Sequence, residues 1–236
     1  TGAAQCHACG RCAGHRDAVT LSLRSPAAEI LSSSVRDVGR VEAWLLIWGL
    51  FGVAVGAFRW SSDPLFVAWR QGAAAWLAER EWWLLLGTDA PWWLLTHYPA
   101  VGDTFTWLDG LLIPAYIGAV ALMLGGALQA GVWAASRLAR MPWTVLSLDW
   151  IPAAGAGVFV GLSLLTQTQL RAEGVDLPWL DGARAGVLVA AFAASLALSA
   201  TRLRRATVPA VRAALAWLAQ AAPLALVGAA WWQQLS

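Results

Sequence analysis

Five apolar runs leave this 236-residue chain few folds to choose from: residues 41–58, 108–135, 143–166, 182–199 and 210–232. A helix needs about 20 apolar residues to cross the hydrocarbon core of a bilayer. Inside that core every backbone N–H and C=O must be satisfied within the protein, which for long apolar runs means helices. Hydrophobic residues make up 59% of the chain and charged ones 13%, against about 25% charged in a soluble domain. The mean hydropathy is +0.58. The expected fold class is an all-α integral membrane protein with about five transmembrane helices.

The spans carry few polar groups. The first contains Gly52 and Gly56, a G-x-x-x-G spacing that lets a neighbouring helix approach closely. The second holds Pro114, where a kink is expected, with Tyr116 and Gln129 as its notable polar side chains. The third carries Asp149, Pro152 and a second G-x-x-x-G at Gly157 and Gly161, and the fifth contains Pro223. Residues 59–105 are too interrupted by charge to span. Seven tryptophans fall between Trp60 and Trp93, with Arg70, Arg80, Glu79 and Glu81 among them. Indole rings favour the headgroup level, so this segment reads as interfacial amphipathic helices.

Arginine orients the bundle, because basic residues collect in cytoplasmic loops. All 16 basic residues are arginine, a usage that suits a GC-rich bacterial genome. Arg36 and Arg40 precede the first span, Arg137 and Arg140 join the second to the third, and Arg202, Arg204, Arg205 and Arg212 join the fourth to the fifth. The other side holds Asp63, Glu79, Glu81, Asp89, Asp103, Asp109, Glu173, Asp176 and Asp181. The expectation is a bacterial inner-membrane protein with a cytoplasmic amino terminus and a periplasmic carboxyl terminus.

All three cysteines lie in the polar head: Cys6, Cys9 and Cys12, spaced C-x2-C-x2-C. Two residues between cysteines turn three thiolates toward one point, as a cubane iron–sulfur cluster requires, and the spacing is that of the first three ligands of a bacterial ferredoxin run. Gly10 suits such a loop because it tolerates positive φ. The full run would continue x3-C-P, where this chain has Arg16-Asp17. In a two-cluster ferredoxin that fourth cysteine ligates the other cluster, so the nearer cluster takes its last ligand elsewhere. The candidates are sequence before Thr1, a partner chain, or His7, His15 or Asp17. A three-iron cluster on three thiolates is the alternative. Zinc held by the three cysteines with His7 or His15, or free structural thiols, are the non-redox readings. A cytoplasmic odd-numbered set argues against disulfides. Val19, Leu21 and Leu23 alternate with polar residues, as in a short strand, and Pro26 with Ser32–Ser34 marks a connector. The chain starts on Thr and carries half a motif, so preceding sequence is expected.

The cysteine head C-H-A-C-G-R-C followed by several spans resembles the bacterial membrane-bound polyferredoxins of the NapH, NosR and CcoG type. That resemblance covers the cysteine motif and the layout. It implies a partial ferredoxin-like iron–sulfur segment at 1–25, which a connector at 26–40 joins to a membrane domain at 41–236 whose five-span region goes beyond the resemblance. It also implies electron transfer between a quinone pool and redox partners, or service in metalloenzyme maturation. The cofactor implied is a four-iron or three-iron cluster on Cys6, Cys9 and Cys12, with a quinone as a second candidate.

The membrane part offers less chemistry. His97 is the one histidine outside the head, too few for a bis-histidine haem. There is no nucleotide-binding glycine motif and no nucleophile–base pair. Asp149 is the one acid well inside a span, and intramembrane carboxylates are costly enough to be functional candidates; reaching the interface, about two turns away, or pairing with Arg140 is the structural account. Asp149 and His97 are therefore the candidate proton or quinone residues. The expected role is a membrane-anchored electron-transfer subunit without catalysis of its own. Its partners would be the lipid bilayer, other subunits of a redox complex and a donor of the fourth cluster ligand, with no nucleic acid. The alternative is a membrane scaffold or assembly factor with a zinc or free-thiol head.

Overall fold

The computed structural model describes residues 25–34, 38–91, 94–95, 97–98 and 103–235, with the backbone alone at His97 and Asp103. The cysteine motif, its neighbours His7, His15 and Asp17, and the strand expected near residues 19–23 lie outside the described residues. The chain divides into two compact units, Thr1–Ser32 and Ser33–Ser236.

Of the first unit, α1 (Pro26–Ser32) is described. The expected connector thus contains a helix of about two turns. Pro26 supplies a φ already suited to a first helical position, and the amides of Ala28 and Glu29 donate to the Ser25 carbonyl.

The second unit is a membrane protein built of helices, with one two-residue ladder besides. Among the described residues five helices are long and apolar enough to cross a membrane: α2 (Arg40–Arg59), α4 (Trp107–Ala139), α5 (Trp143–Ala172), α6 (Leu180–Arg205) and α7 (Ala210–Trp232). Between α2 and α4 stand α3 (Pro64–Glu79), a 3-10 turn at Trp83–Leu86, and a two-residue antiparallel ladder of β1 (His97–Tyr98) with β2 (Asp103–Thr104). The segment 59–105 therefore does not span. Several spans outrun their apolar cores. α5 continues past residue 166 to Ala172, and α6 extends beyond 182–199 at both ends, to Leu180 and Arg205. Hydropathy ends a span at a charge, but Arg202 is buried and partnered, so α6 carries on through it.

α4 is the spine, packing most extensively on α7 and α2. At 33 residues it measures about 50 Å, well over a bilayer core. Its buried face runs Tyr116, Val120, Leu124, Leu128, Val132, Ala135 and Ala139, a helical stripe. Pro114 sits inside this helix without ending it. Leu128, Val132, Trp150, Leu224 and Val227 are all at 0–1% exposure and form the centre with Phe51, whose ring meets Trp150 edge-on at 6.2 Å.

Both glycine pairs are close-approach sites. A Cβ on Gly52 would stand 3.0 Å from the Ala121 Cα, and one on Gly56 2.9 Å from the Ile117 Cα, so α2 lies backbone to backbone on α4. The segment Leu45–Val53 of α2 is wound as a π-helix, with the Ala54 amide donating to the Gly49 carbonyl. Gly157 and Gly161 instead receive rings: the Trp231 indole of α7 and the Phe58 ring of α2 occupy the space a side chain would need.

Gly56→Val is expected to lower the thermal stability of the detergent-solubilised protein, by about 1–3 kcal/mol for overpacking. Gly72, in α3, faces nothing within 4 Å of a Cβ, so Gly72→Ala should be neutral or stabilising by up to about 1 kcal/mol. Equal melting temperatures for Gly56→Val and the unmodified protein would refute the close α2–α4 contact.

Candidate functional site

Asp149 lies in a 3-10 turn, Leu148–Trp150, between the short opening helix Trp143–Ser147 and the main body of α5. Pro152 follows at the start of that main body. The break turns the carboxylate into the bundle, where it is fully buried. Its partner is Arg202, near the end of α6 and 5% exposed. The Arg202 Nε–H is shared between both carboxylate oxygens, at 2.8 and 3.1 Å. Arg140, the partner proposed from sequence proximity, instead closes α4 in a left-handed conformation with φ 54°.

Two further polar contacts join α5 and α6. The Ala153 amide, one of the orphan donors of a helix start, donates to the Ser195 hydroxyl at 3.1 Å, buried. Toward the other membrane face, Arg184 is 1% exposed. Its guanidinium donates to the Ser163 hydroxyl at 2.7 Å, the Ser163 carbonyl at 2.5 Å, Asp181 at 2.7 Å and Gln167. The pair α5–α6 is thus stitched at three depths by side chains absent from any apolar pattern.

A second polar group fastens α3 to α4. Asp63 caps α3 by accepting from the Leu65 amide at 2.8 Å, pairs with Arg59 at 2.8 Å and accepts from the Tyr116 hydroxyl of α4. Burial pushes its carboxyl up, but the Tyr116 hydroxyl, the Leu65 amide and the Arg59 charge outweigh it and hold Asp63 below the usual carboxylate range. Asp109 forms a capping box with Thr106 at the start of α4 and takes both Nε and Nη2 of Arg70 from α3. The paired Asp109 in turn raises Arg70 above its ordinary value. The sequence carries signals for both carboxylates: Asp63-Pro64 is a helix-start signature, and Thr106-x-x-Asp109 is a capping box.

The two membrane candidates do not come together. Asp149 lies near the end of the bundle where α5 begins. His97 pairs its backbone with Thr104 in the ladder between α2 and α4, at the opposite end. Gln129 is buried in α4 with neither side-chain atom bonded among the described residues. No group of three or more His, Cys, Asp or Glu side chains with metal-binding geometry occurs among the described residues. Cys6, Cys9 and Cys12 lie outside those residues. No known protein family, curated protein or solved structure matches the chain.

Removing one partner of a buried ion pair leaves the other charge uncompensated, at a cost of about 3–5 kcal/mol, whereas replacing both by apolar groups is often neutral. Asp149→Asn is therefore expected to unfold at lower temperature, and the double change Asp149→Leu with Arg202→Met to recover most of the loss. A melting curve of Asp149→Asn that overlays the unmodified protein would remove the ion pair from the fold's supports.

Proposed function

We propose that this chain is a membrane-anchored electron-transfer subunit of the bacterial inner membrane, with an iron–sulfur cluster on Cys6, Cys9 and Cys12 at the cytoplasmic face. The observation that carries the reading is the C-x2-C-x2-C spacing on a chain that enters its first span at the arginine-rich end. Alternation of five spans would bring Arg40, the Arg137–Arg140 turn and the Arg202–Arg212 turn to one side, and an excess of basic charge supports reading that side as the cytoplasmic one. That compartment keeps thiols reduced. Three thiolates suit three corners of a cluster, and the fourth ligand comes from a partner, from further sequence or from His7, His15 or Asp17. The bound cluster supplies one-electron chemistry. The chain's own part is to present the thiolates and to hold them at the membrane, with the tryptophan-rich segment 59–105 in the headgroup layer.

A quinone or another subunit of a redox complex is the proposed electron partner. Asp149 and His97 stand at opposite ends of the bundle, so they serve separate sites in this scheme. Asp149 is committed to Arg202, which favours a structural over a proton-carrying role.

Purified protein is expected to be brown, to contain iron with acid-labile sulfide, and to give an iron–sulfur EPR signal that Cys9→Ser abolishes. A colourless protein carrying stoichiometric zinc would replace the electron-transfer reading with the scaffold or assembly-factor reading.

Topology has its own test. A reporter that fluoresces only in the cytoplasm, fused after Ser236, is expected to stay dark, and a bright fusion would reverse the orientation.

A further inference from the structure

The two ends of the bundle use arginine differently. At the end where α2 and α5 finish, every described arginine has a partner. Arg59 pairs with Asp63 at 2.8 Å, Arg70 with Asp109, Arg171 with Asp176 at 3.5 Å and Arg184 with Asp181 at 2.7 Å. Arg80 donates to the Trp76 carbonyl at 3.3 Å and lies over the Trp76 ring.

The opposite end carries Arg40 at the start of α2, Arg137 and Arg140 at the end of α4, Arg204 and Arg205 at the end of α6, and Arg212 in the first turn of α7. Packing gathers these helix ends. Trp44 of α2 meets Trp143 of α5 edge-on at 6.2 Å, Arg202 of α6 pairs with Asp149 of α5, and the Trp217 indole of α7 donates to the Leu196 carbonyl of α6. All six arginines are exposed, and none pairs with a carboxylate among the described residues. The described acids at this end of the bundle are Glu42 and the buried Asp149, which Arg202 takes. No Asp or Glu follows Asp181 in the whole chain.

We propose that this end of the bundle docks a soluble, acidic electron carrier. Basic residues orient a membrane protein, and acidic ones weigh little in that choice. Orientation therefore accounts for the arginines, but not for a single exposed acid, Glu42, among them. A docking surface for an acidic partner accounts for both. A carboxylate among the arginines would repel the partner and weaken the field that steers it. The charge is spread over four helix ends, which suits a protein face and not one small anion. Arg40 opens the helix that follows the cysteine-bearing segment in sequence, so the carrier would dock at the end where that segment joins the bundle. Electron carriers meet their partners through small, brief interfaces, whose on-rate such fields set. That the partner carries electrons rests on the electron-transfer reading; that its surface is acidic rests on the arginines alone.

The test uses the full chain in phosphatidylcholine nanodiscs, which leave both ends of the bundle open and add no net charge. The probe is an acidic flavodoxin, with a basic cytochrome c as competitor. Flavodoxin is expected to bind with an on-rate that falls steeply as salt is raised, and cytochrome c not to compete for its site. Exchanging Arg137, Arg140, Arg204, Arg205 and Arg212 for glutamine should slow association at least about tenfold, the low end of what electrostatic steering supplies. The five-lysine variant should keep the rate, since lysine preserves the charge, and Arg171→Gln at the other end should leave it unchanged. Circular dichroism checks that each variant is folded. Should the five-glutamine variant fail to fold, Arg204→Gln with Arg205→Gln carries the test and should also slow association. Competition by cytochrome c, a rate indifferent to salt, or an unchanged rate in a folded glutamine variant would overturn the proposal. Loss of flavodoxin binding in nanodiscs that contain phosphatidylglycerol would assign the arginines to lipid headgroups and overturn it as well. The colour and iron content of the same preparation separate the two readings. A colourless protein that binds flavodoxin through the arginines fails the electron-transfer reading and keeps the docking surface, whereas a brown protein that does not bind it does the reverse.

Discussion

A bilayer offers no water to a stray polar group, and this constraint explains why the buried charges of the bundle are found in pairs and networks. Asp149 and Arg202 are the sharpest instance: a carboxylate at 0% exposure facing a guanidinium at 5%. Separately each would cost several kcal/mol to hold in an apolar interior. Together they place the start of α5 against the end of α6. Arg184 does the same at the other face with Ser163, Gln167 and Asp181. Between them the Ser195 hydroxyl takes the Ala153 amide that the break at Pro152 leaves free. The register of α5 against α6 is fixed by these three contacts, because alanine-rich faces slide past one another with little change in packing.

The other half of the bundle is held by a different means. α2 and α4 meet through glycine, so their backbones come within reach of direct van der Waals contact at Gly52 and Gly56. Lipid tails are as apolar as leucine, which leaves close packing rather than hydrophobic burial as the attraction between spans. α4 then carries α3 through Asp63–Tyr116 and Arg70–Asp109. These contacts sit at the membrane end of α4, where the tryptophans of α3 are half exposed: Trp69 at 47% and Trp76 at 45%. Arg80 lies 3.9 Å over the Trp76 ring, so even the charge at the end of α3 rests on an aromatic face.

The arginines of α6 and α7 divide into two kinds. Arg184 and Arg202 are interior and spent on the fold, while Arg204, Arg205 and Arg212 are exposed and pair with no carboxylate among the described residues. Of the first kind, Arg202 lets α6 run on past its apolar core. The second concentrates positive charge at the end of the bundle where α6 meets α7.

The number and order of the spans were legible in the sequence because hydropathy is local: an apolar run of sufficient length has no stable alternative in lipid. The cysteine spacing is local in the same sense, and it is the reason a cluster was read at Cys6, Cys9 and Cys12. Both glycine pairs were visible, though not what they meet. Partnership was not legible. Asp149 and Arg202 lie 53 residues apart, as do Asp63 and Tyr116, and Arg70 is 39 residues from Asp109. Sequence proximity pointed Asp149 to Arg140, which caps α4 in a left-handed conformation, while Asp149 pairs with Arg202. Which charges end a span and which are carried inside it depends on what stands opposite in the neighbouring helix, and only the packed bundle decides that.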